Sequence, residues 1–261
     1  MIEFRNFSIG YGKRQLLSKI NEKIPDGKLT ALIGRNGSGK STLLRAIARL
    51  NTHYEGEILM NGESQSAMTP AQLAKNLAYV STERTRIPNL QCRDVVAIGR
   101  APYTNWIGNL QDNDHEIVER SLSSVGMLEF ADKTMDRMSD GECQRVMIAR
   151  ALAQSTPIII LDEPTSFLDL PNRFELCSLL ADLAHKEGKC ILFSTHELDI
   201  ALSLCDDIAL IDTPHLYCLP TEEMRTSGLI NKLFQNDNMT FDASSASIIR
   251  KNDGKPKRIL N

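Results

Sequence analysis

Nine residues near the start of the chain, Gly34-Arg35-Asn36-Gly37-Ser38-Gly39-Lys40-Ser41-Thr42, fit G-x-x-x-x-G-K-[ST], the pattern of a phosphate-binding loop. The apolar stretch Leu29-Thr30-Ala31-Leu32-Ile33 before it has strand length, and Leu43 to Leu50 after it is apolar at helical spacing. Strand, loop, helix is the context the motif needs. Glycines 34, 37 and 39 let the backbone turn tightly and aim successive N–H groups inward. The following helix adds its unsatisfied N–H groups and the positive end of its dipole. Asn36, Ser38 and Thr42 complete the cradle, Lys40 reaches the β- and γ-phosphates, and Ser41 places a hydroxyl on Mg²⁺. A Gly/Ser surface turn is the alternative, and both flanks count against it.

Pro157-Ile158-Ile159-Ile160-Leu161-Asp162-Glu163 is the second anchor. A near-continuous apolar run suits a strand buried on both faces. Its two carboxylates fall at the carboxyl end, where open α/β sheets bind ligands. Buried carboxylates need a cation or a shifted pKa. Mg²⁺ shared between a nucleotide and Asp162 answers one, and Glu163 is then free to orient and polarise an attacking water. The competing reading makes the pair caps of the turn at Pro164-Thr165. Two readings also fit Ser139-Asp140-Gly141-Glu142: a capping box, which needs no ligand, and a helix N-terminus offered to an anion.

The pattern along the chain places these motifs. Residues 2–9 and 15–24 read as strands of a hairpin, and 55–62 as another strand ending in an Asn-Gly turn. They predict an antiparallel sheet beside a parallel one. A short helix over about 70–80 leads to a strand at 77–81. Helical stretches at 93–99, 114–125 and 141–154 predict a helical lobe at 86–150 inserted in the core. Alternation then resumes: strand 157–162, helix 172–186, strand 189–195, helix 197–205, strand 207–212. A helix is expected at 227–235. The basic end, Arg250 to Arg258, reads as a solvated tail.

Composition excludes several classes. Net charge is −3 over 261 residues, so nothing in the overall charge favours nucleic acid or a membrane surface. The cysteines at 92, 143, 177, 190, 205 and 218 form no C-x-x-C pair and lie mostly in apolar stretches, which predicts reduced, buried thiols. The start lacks the basic-then-apolar pattern of a signal peptide. No run approaches the ~20 apolar residues that span a bilayer.

With these motifs in family order, residues 1–225 resemble the nucleotide-binding subunit of an ATP-binding cassette (ABC) transporter, leaving 226–261 as a C-terminal extension. Gly34–Thr42 matches its Walker A motif and Ile158–Glu163 its Walker B. Ser139–Glu142 matches the signature, usually Ser-Gly-Gly-Gln, at two of four positions. Ser166-Phe167-Leu168-Asp169 resembles the D-loop, and Ser194-Thr195-His196-Glu197 the switch-histidine segment. Tyr11 falls where the family carries an aromatic that stacks on adenine, although simple packing or a turn also explains a tyrosine there.

The resemblance implies an α/β phosphate-loop NTPase core with an antiparallel β subdomain and an inserted helical subdomain. It implies that two subunits sandwich two ATP molecules, each phosphate loop facing the other subunit's Ser139 and Gly141. His196 would contact the γ-phosphate, and Asp169 would relay across the dimer. Permease subunits would hold the protein at the cytoplasmic face of the membrane, with an extracytoplasmic substrate-binding protein acting indirectly. Two positions depart from the pattern. Thr82-Glu83 stands where a Gln usually touches Mg²⁺; either residue could reach the ion, and Thr82 is the candidate ligand carried forward. Asp140 replaces a Gly of the signature.

A narrower resemblance concerns cargo. Val95-Val96-Ala97-Ile98-Gly99-Arg100-Ala101-Pro102-Tyr103 resembles importers of iron–siderophore complexes, haem and cobalamin, which often carry Gly-Arg-x-Pro near the surface gripping the membrane subunit. A helix end with a Gly stop and a Pro turn explains the same residues. The alternatives are a soluble Fe–S cluster assembly ATPase of the same superfamily, and an ATP-gated clamp with weak hydrolysis.

Overall fold

The computed structural model describes residues 1–12, 14–83, 87–104, 109–234, 239–242 and 247–250. Strands β1 (Ile2–Tyr11), β2 (Arg14–Ile20) and β3 (Lys23–Ile24) precede β4 (Lys28–Gly34) and helix α1 (Lys40–Ile47). Then come β5 (Tyr54–Met60), β6 (Glu63–Ser64), α2 (Pro70–Asn76) and β7 (Leu77–Val80). Helices α3 (Cys92–Ala97), α4 (Asp112–Ser124) and α5 (Asp140–Ala153) separate β7 from β8 (Ile158–Leu161). Next are α6 (Leu170–Glu187), β9 (Cys190–Ser194), α7 (Leu198–Leu204), β10 (Asp207–Asp212) and β11 (His215–Pro220). Helices α8 (Thr221–Thr226) and α9 (Leu229–Phe234) and strands β12 (Met239–Asp242) and β13 (Ser247–Arg250) close the described chain.

Two sheets carry the architecture. The antiparallel one runs β2-β1-β5-β6, with β3 on β1. Its β5–β6 hairpin turns at Asn61 (φ 52°) and Gly62 (φ 86°), the backbone signs an Asn-Gly hairpin turn requires. The second sheet runs β11-β10-β4-β9-β8-β7, parallel except for β11. The expected antiparallel-beside-parallel arrangement and the α/β fold class are therefore what the chain adopts.

The parallel strands are apolar throughout because both of their faces are covered. Ile159, Leu161, Ile191 and Phe193 enter one core together with the inward faces of α3, α5 and α6. Their neighbours Ile158, Ile160, Cys190 and Leu192 enter a second core with α1 and the antiparallel sheet. This period-two division is strand geometry acting on both faces at once.

Strand β11 lies outside the sequence expectations, in which the last strand ended at 212. Half-buried Tyr217, Cys218 and Leu219 make a weak alternation, and its pairing with β10 makes it the sheet edge. The helix expected at 227–235 is α9, six residues long and preceded by α8. The basic end beyond Arg250 lies outside the described residues. Among the described residues no helix is long and apolar enough to cross a membrane. All six cysteines are free, five of them buried, as expected. Burial pushes the Cys177 and Cys190 thiols up to about 12.

Candidate active site

The order β4-β9-β8-β7 sets four loops side by side at the carboxyl edge of the parallel sheet. They are the phosphate loop after β4, the 194–197 segment after β9, Asp162-Glu163 after β8 and Thr82 after β7. A cleft of about 420 Å³ opens there, lined by Tyr11, Asn36, Lys40, Thr42, Glu163 and His196 among others.

Glycine geometry shapes the loop. Gly37 (φ 72°) and Gly39 (φ 106°) lie where side chains other than hydrogen are strained. A Cβ on Gly34 would stand 2.7 Å from Ser38 Oγ, so the loop closes on itself at that point. Leu16 of β2 packs against Gly39, and Arg14 donates to the Gly37 carbonyl at 3.1 Å. Lys40 opens α1, is 6% exposed, and donates to the Gly34 carbonyl at 3.1 Å. Burial lowers its pKa, while attraction to Glu163 and Asp162 opposes that shift.

Beneath the loop, Asp162 is 3% exposed. Its Oδ1 accepts from Ser41 Oγ at 3.1 Å and from Ser194 Oγ at 2.6 Å. No described ion pair closes on this carboxylate. A buried carboxylate beside a hydroxyl is a hard-oxygen donor set that suits Mg²⁺, an ion usually held by one or two carboxylates plus substrate phosphates.

Glu163 stands at the mouth of the cleft with φ 50°, unusual for a side chain of its size. Its Oε1 lies 2.7 Å from His196 Nε2. Tyr11 is 59% exposed, and its hydroxyl meets Thr42 Oγ1 at 3.2 Å, which leaves the ring open over the cleft.

The remaining candidates do not line the cleft. Thr82 Oγ1 donates to the Asp162 carbonyl at 3.1 Å, so it braces the residue that carries the carboxylate. Glu83 pairs with Arg45 of α1 at 3.2 Å, which balances its charge. Ser139, Gly141 and Asp169 do not line the cleft of their own chain. Ser139 accepts from the Glu142 N–H at 3.2 Å, and the Glu142 carboxylate accepts from the Ser139 N–H at 2.7 Å, forming the capping box of α5. The Ser139 N–H chiefly, helped by Lys133, holds the Glu142 carboxyl below its usual range. Asp140 is the first residue of that helix, where an acid complements the dipole. Asp169 caps α6 through the Asn172 N–H at 3.1 Å. A Cβ on Gly141 would stand 3.3 Å from the Phe167 carbonyl, so the signature-like and D-loop-like segments abut.

Within the Gly99-Arg100-Ala101-Pro102 segment, Arg100 is 5% exposed. Its guanidinium donates to Asp114 Oδ1 at 2.7 Å and to the Ala153 carbonyl at 2.8 Å, tying the segment to α4 and α5. A Cβ on Gly99 would come within 2.2 Å of the Arg150 carbonyl. The pair is an internal staple, and Ile98 and Ala101 are what the segment turns outward. Arg14, Leu16 and Ser194 are site residues that sequence reasoning missed. Only Ser194 left a signal, a polar residue at the end of an apolar strand.

The chain is similar to known proteins in both sequence and structure. Residues 17–166 match the family model described as ABC transporter. The iron(3+)-hydroxamate import ATP-binding protein of Bacillus subtilis is 38% identical over 74% of this chain and 72% of its own length. An inward-facing transporter assigned to the metal-chelate type superposes with TM-score 0.77 at 26% identity, covering 89% of this chain and 88% of the other. A dimeric ATP-binding cassette bound to ADP and phosphate gives TM-score 0.73 at 25% identity, covering 85% and 99%.

Proposed function

The chain belongs to the ABC transporter family of ATP-binding proteins, and from that footing we propose that it hydrolyses ATP to drive import of an iron–siderophore, haem or cobalamin-type cargo through a separate membrane permease. The carrying observation is the Glu163–His196 pair at the mouth of the phosphate cleft. Loop N–H groups and Lys40 bind the β- and γ-phosphates, and Tyr11 takes the adenine face. Glu163 accepts a proton from the attacking water as its oxygen bonds to the γ-phosphorus and the bond to the ADP oxygen breaks. His196 holds the Glu163 carboxylate in place and contacts the γ-phosphate. Ser41 and Asp162 would hold Mg²⁺, whose chemistry there is neutralisation of phosphate charge.

Ser139 and Gly141 lie outside their own cleft, which supports a sandwich in which a second copy supplies them. The dimeric ATP-binding cassette supports that assembly. In the sandwich Asp169, two residues past the Phe167 carbonyl that abuts Gly141, relays between the two sites. Residues 1–225 act as the ATPase unit, with the helices between 86 and 150 as its inserted lobe and 226–261 as an extension. The relative for iron(3+)-hydroxamate and the metal-chelate neighbour support the cargo class and favour import over Fe–S cluster assembly. Docked on its permease, the protein works at the cytoplasmic face, and an extracytoplasmic binding protein delivers cargo from the other side.

The test compares ATP turnover of the protein with that of Glu163→Gln, following dimerisation by light scattering at saturating MgATP. The parent turns over, and the variant does not but accumulates as an ATP-locked dimer. A parent that dimerises with no turnover above the variant, even with its permease, would establish the clamp instead. Uptake of radiolabelled iron–siderophore, haem and cobalamin in cells lacking the gene tests the cargo, and undiminished uptake of all three would refute it.

A further inference from the structure

Ser194 makes two hydrogen bonds that no motif assigns to it. It is fully buried at the end of β9. Its Oγ donates to Asp162 Oδ1 at 2.6 Å and accepts from the Glu163 N–H at 2.9 Å. Those bonds use the hydroxyl as donor and acceptor at once. Two residues on, His196 meets the Glu163 carboxylate at 2.7 Å. Glu163 is thus gripped at both ends, its backbone by Ser194 at the end of β9 and its carboxylate by His196 just beyond that strand.

The backbone grip matters because of where Glu163 stands. Its φ of 50° is a left-handed conformation that a non-glycine residue keeps only when its surroundings fix it. An N–H left unpaired there would make extended alternatives competitive, and they would swing the carboxylate out of the cleft. Asp162, immediately before it, is fixed by the same hydroxyl and by Ser41 of the phosphate loop. The three loops that meet at the γ-phosphate position therefore share one oxygen atom.

We propose that Ser194 is a positioning residue for ATP hydrolysis, holding Glu163 in its strained backbone conformation so that its carboxylate faces the attacking water. This rests on the hydrolase reading above.

The experiment measures turnover, KM for MgATP, thermal midpoint and ATP-dependent dimerisation for the parent, Ser194→Ala, Ser194→Thr, Glu163→Gln and the Ser194→Ala/Glu163→Gln double variant. Ser194→Ala lowers kcat about 10- to 100-fold, the scale of a misplaced catalytic group. Its thermal midpoint falls by about 2–8 °C, because the Asp162 carboxylate and the Glu163 N–H each lose a buried partner, while KM barely moves and ATP-bound dimer accumulates. Ser194→Thr, which keeps the hydroxyl, recovers turnover. In the Glu163→Gln background Ser194→Ala leaves the lifetime of the locked dimer unchanged, because the group it positions is already gone. Parent-like turnover in Ser194→Ala overturns the proposal, as does a loss lying wholly in KM or a shortened dimer lifetime in the double variant. An inactive parent would instead overturn the hydrolase reading, and the proposal with it.

Discussion

His196 Nε2 and Glu163 Oε1 stand 2.7 Å apart, although they come from the ends of two different strands. Pairing of β8 with β9 puts them there, since Leu161 lies opposite Phe193 and both chains leave the sheet together. Replacing His196 by Ala removes that contact and leaves Lys40 and the loop intact. Turnover is expected to fall about 100-fold or more, with nucleotide affinity near the parent's. Fluorescent nucleotide titration beside a phosphate-release assay checks both halves.

Arg35, inside the phosphate loop, donates to the Leu233 carbonyl at 2.7 Å, and Lys232 pairs with Asp212 at 2.6 Å. Helix α9 is therefore latched onto the nucleotide loop through Arg35 and onto β10 through Lys232. Arg35→Ala should lower stability by about 1 kcal/mol, a partly exposed charged hydrogen bond, read as a shift in urea midpoint. Saturating ATP should restore part of that loss by ordering the same loop.

Breaking the Arg100–Asp114 pair from one side should be severe. Asp114→Ala leaves a guanidinium enclosed without its carboxylate and is expected to destabilise by about 3–5 kcal/mol. An Arg100→Met/Asp114→Leu double variant should lose less than the single one. Chemical denaturation of both variants and the parent gives the comparison.

The Glu142 carboxyl, held low mainly by the Ser139 N–H, predicts an acid dependence. A group depressed on folding stabilises above its unfolded pKa of 4.5, and that contribution disappears as pH falls through the folded value. Glu142→Gln keeps the capping geometry without the titration. Parent and variant should therefore differ most at neutral pH and converge as pH drops below 4.5. Melting temperatures across that range measure it.

What could be read in the chain was what chemistry writes contiguously. Gly34–Thr42 must be consecutive to wrap a phosphate, and Asp162-Glu163 must end a strand, so both stood out with their flanks. The order of parallel strands came from no local signal. Ser194 looked like one more residue beside a histidine until β9 was seen between β4 and β8. Arg14 reaches the loop through a hairpin register that composition does not encode. The interior home of Arg100, between Asp114 and the Ala153 carbonyl, was equally silent in the sequence, because its partners lie far along the chain. Edge strand β11 was missed because its half-exposed residues alternate only weakly.

Alternate residues of β9 enter opposite cores, Ile191 and Phe193 in one, Cys190 and Leu192 in the other. Sliding this strand by a single position would exchange those faces and carry Ser194 and His196 away from Glu163 together. Correct threading of the sheet and competence to split ATP are therefore one and the same condition. A mispaired molecule would be silent rather than leaky, and would waste no fuel on cargo it cannot move.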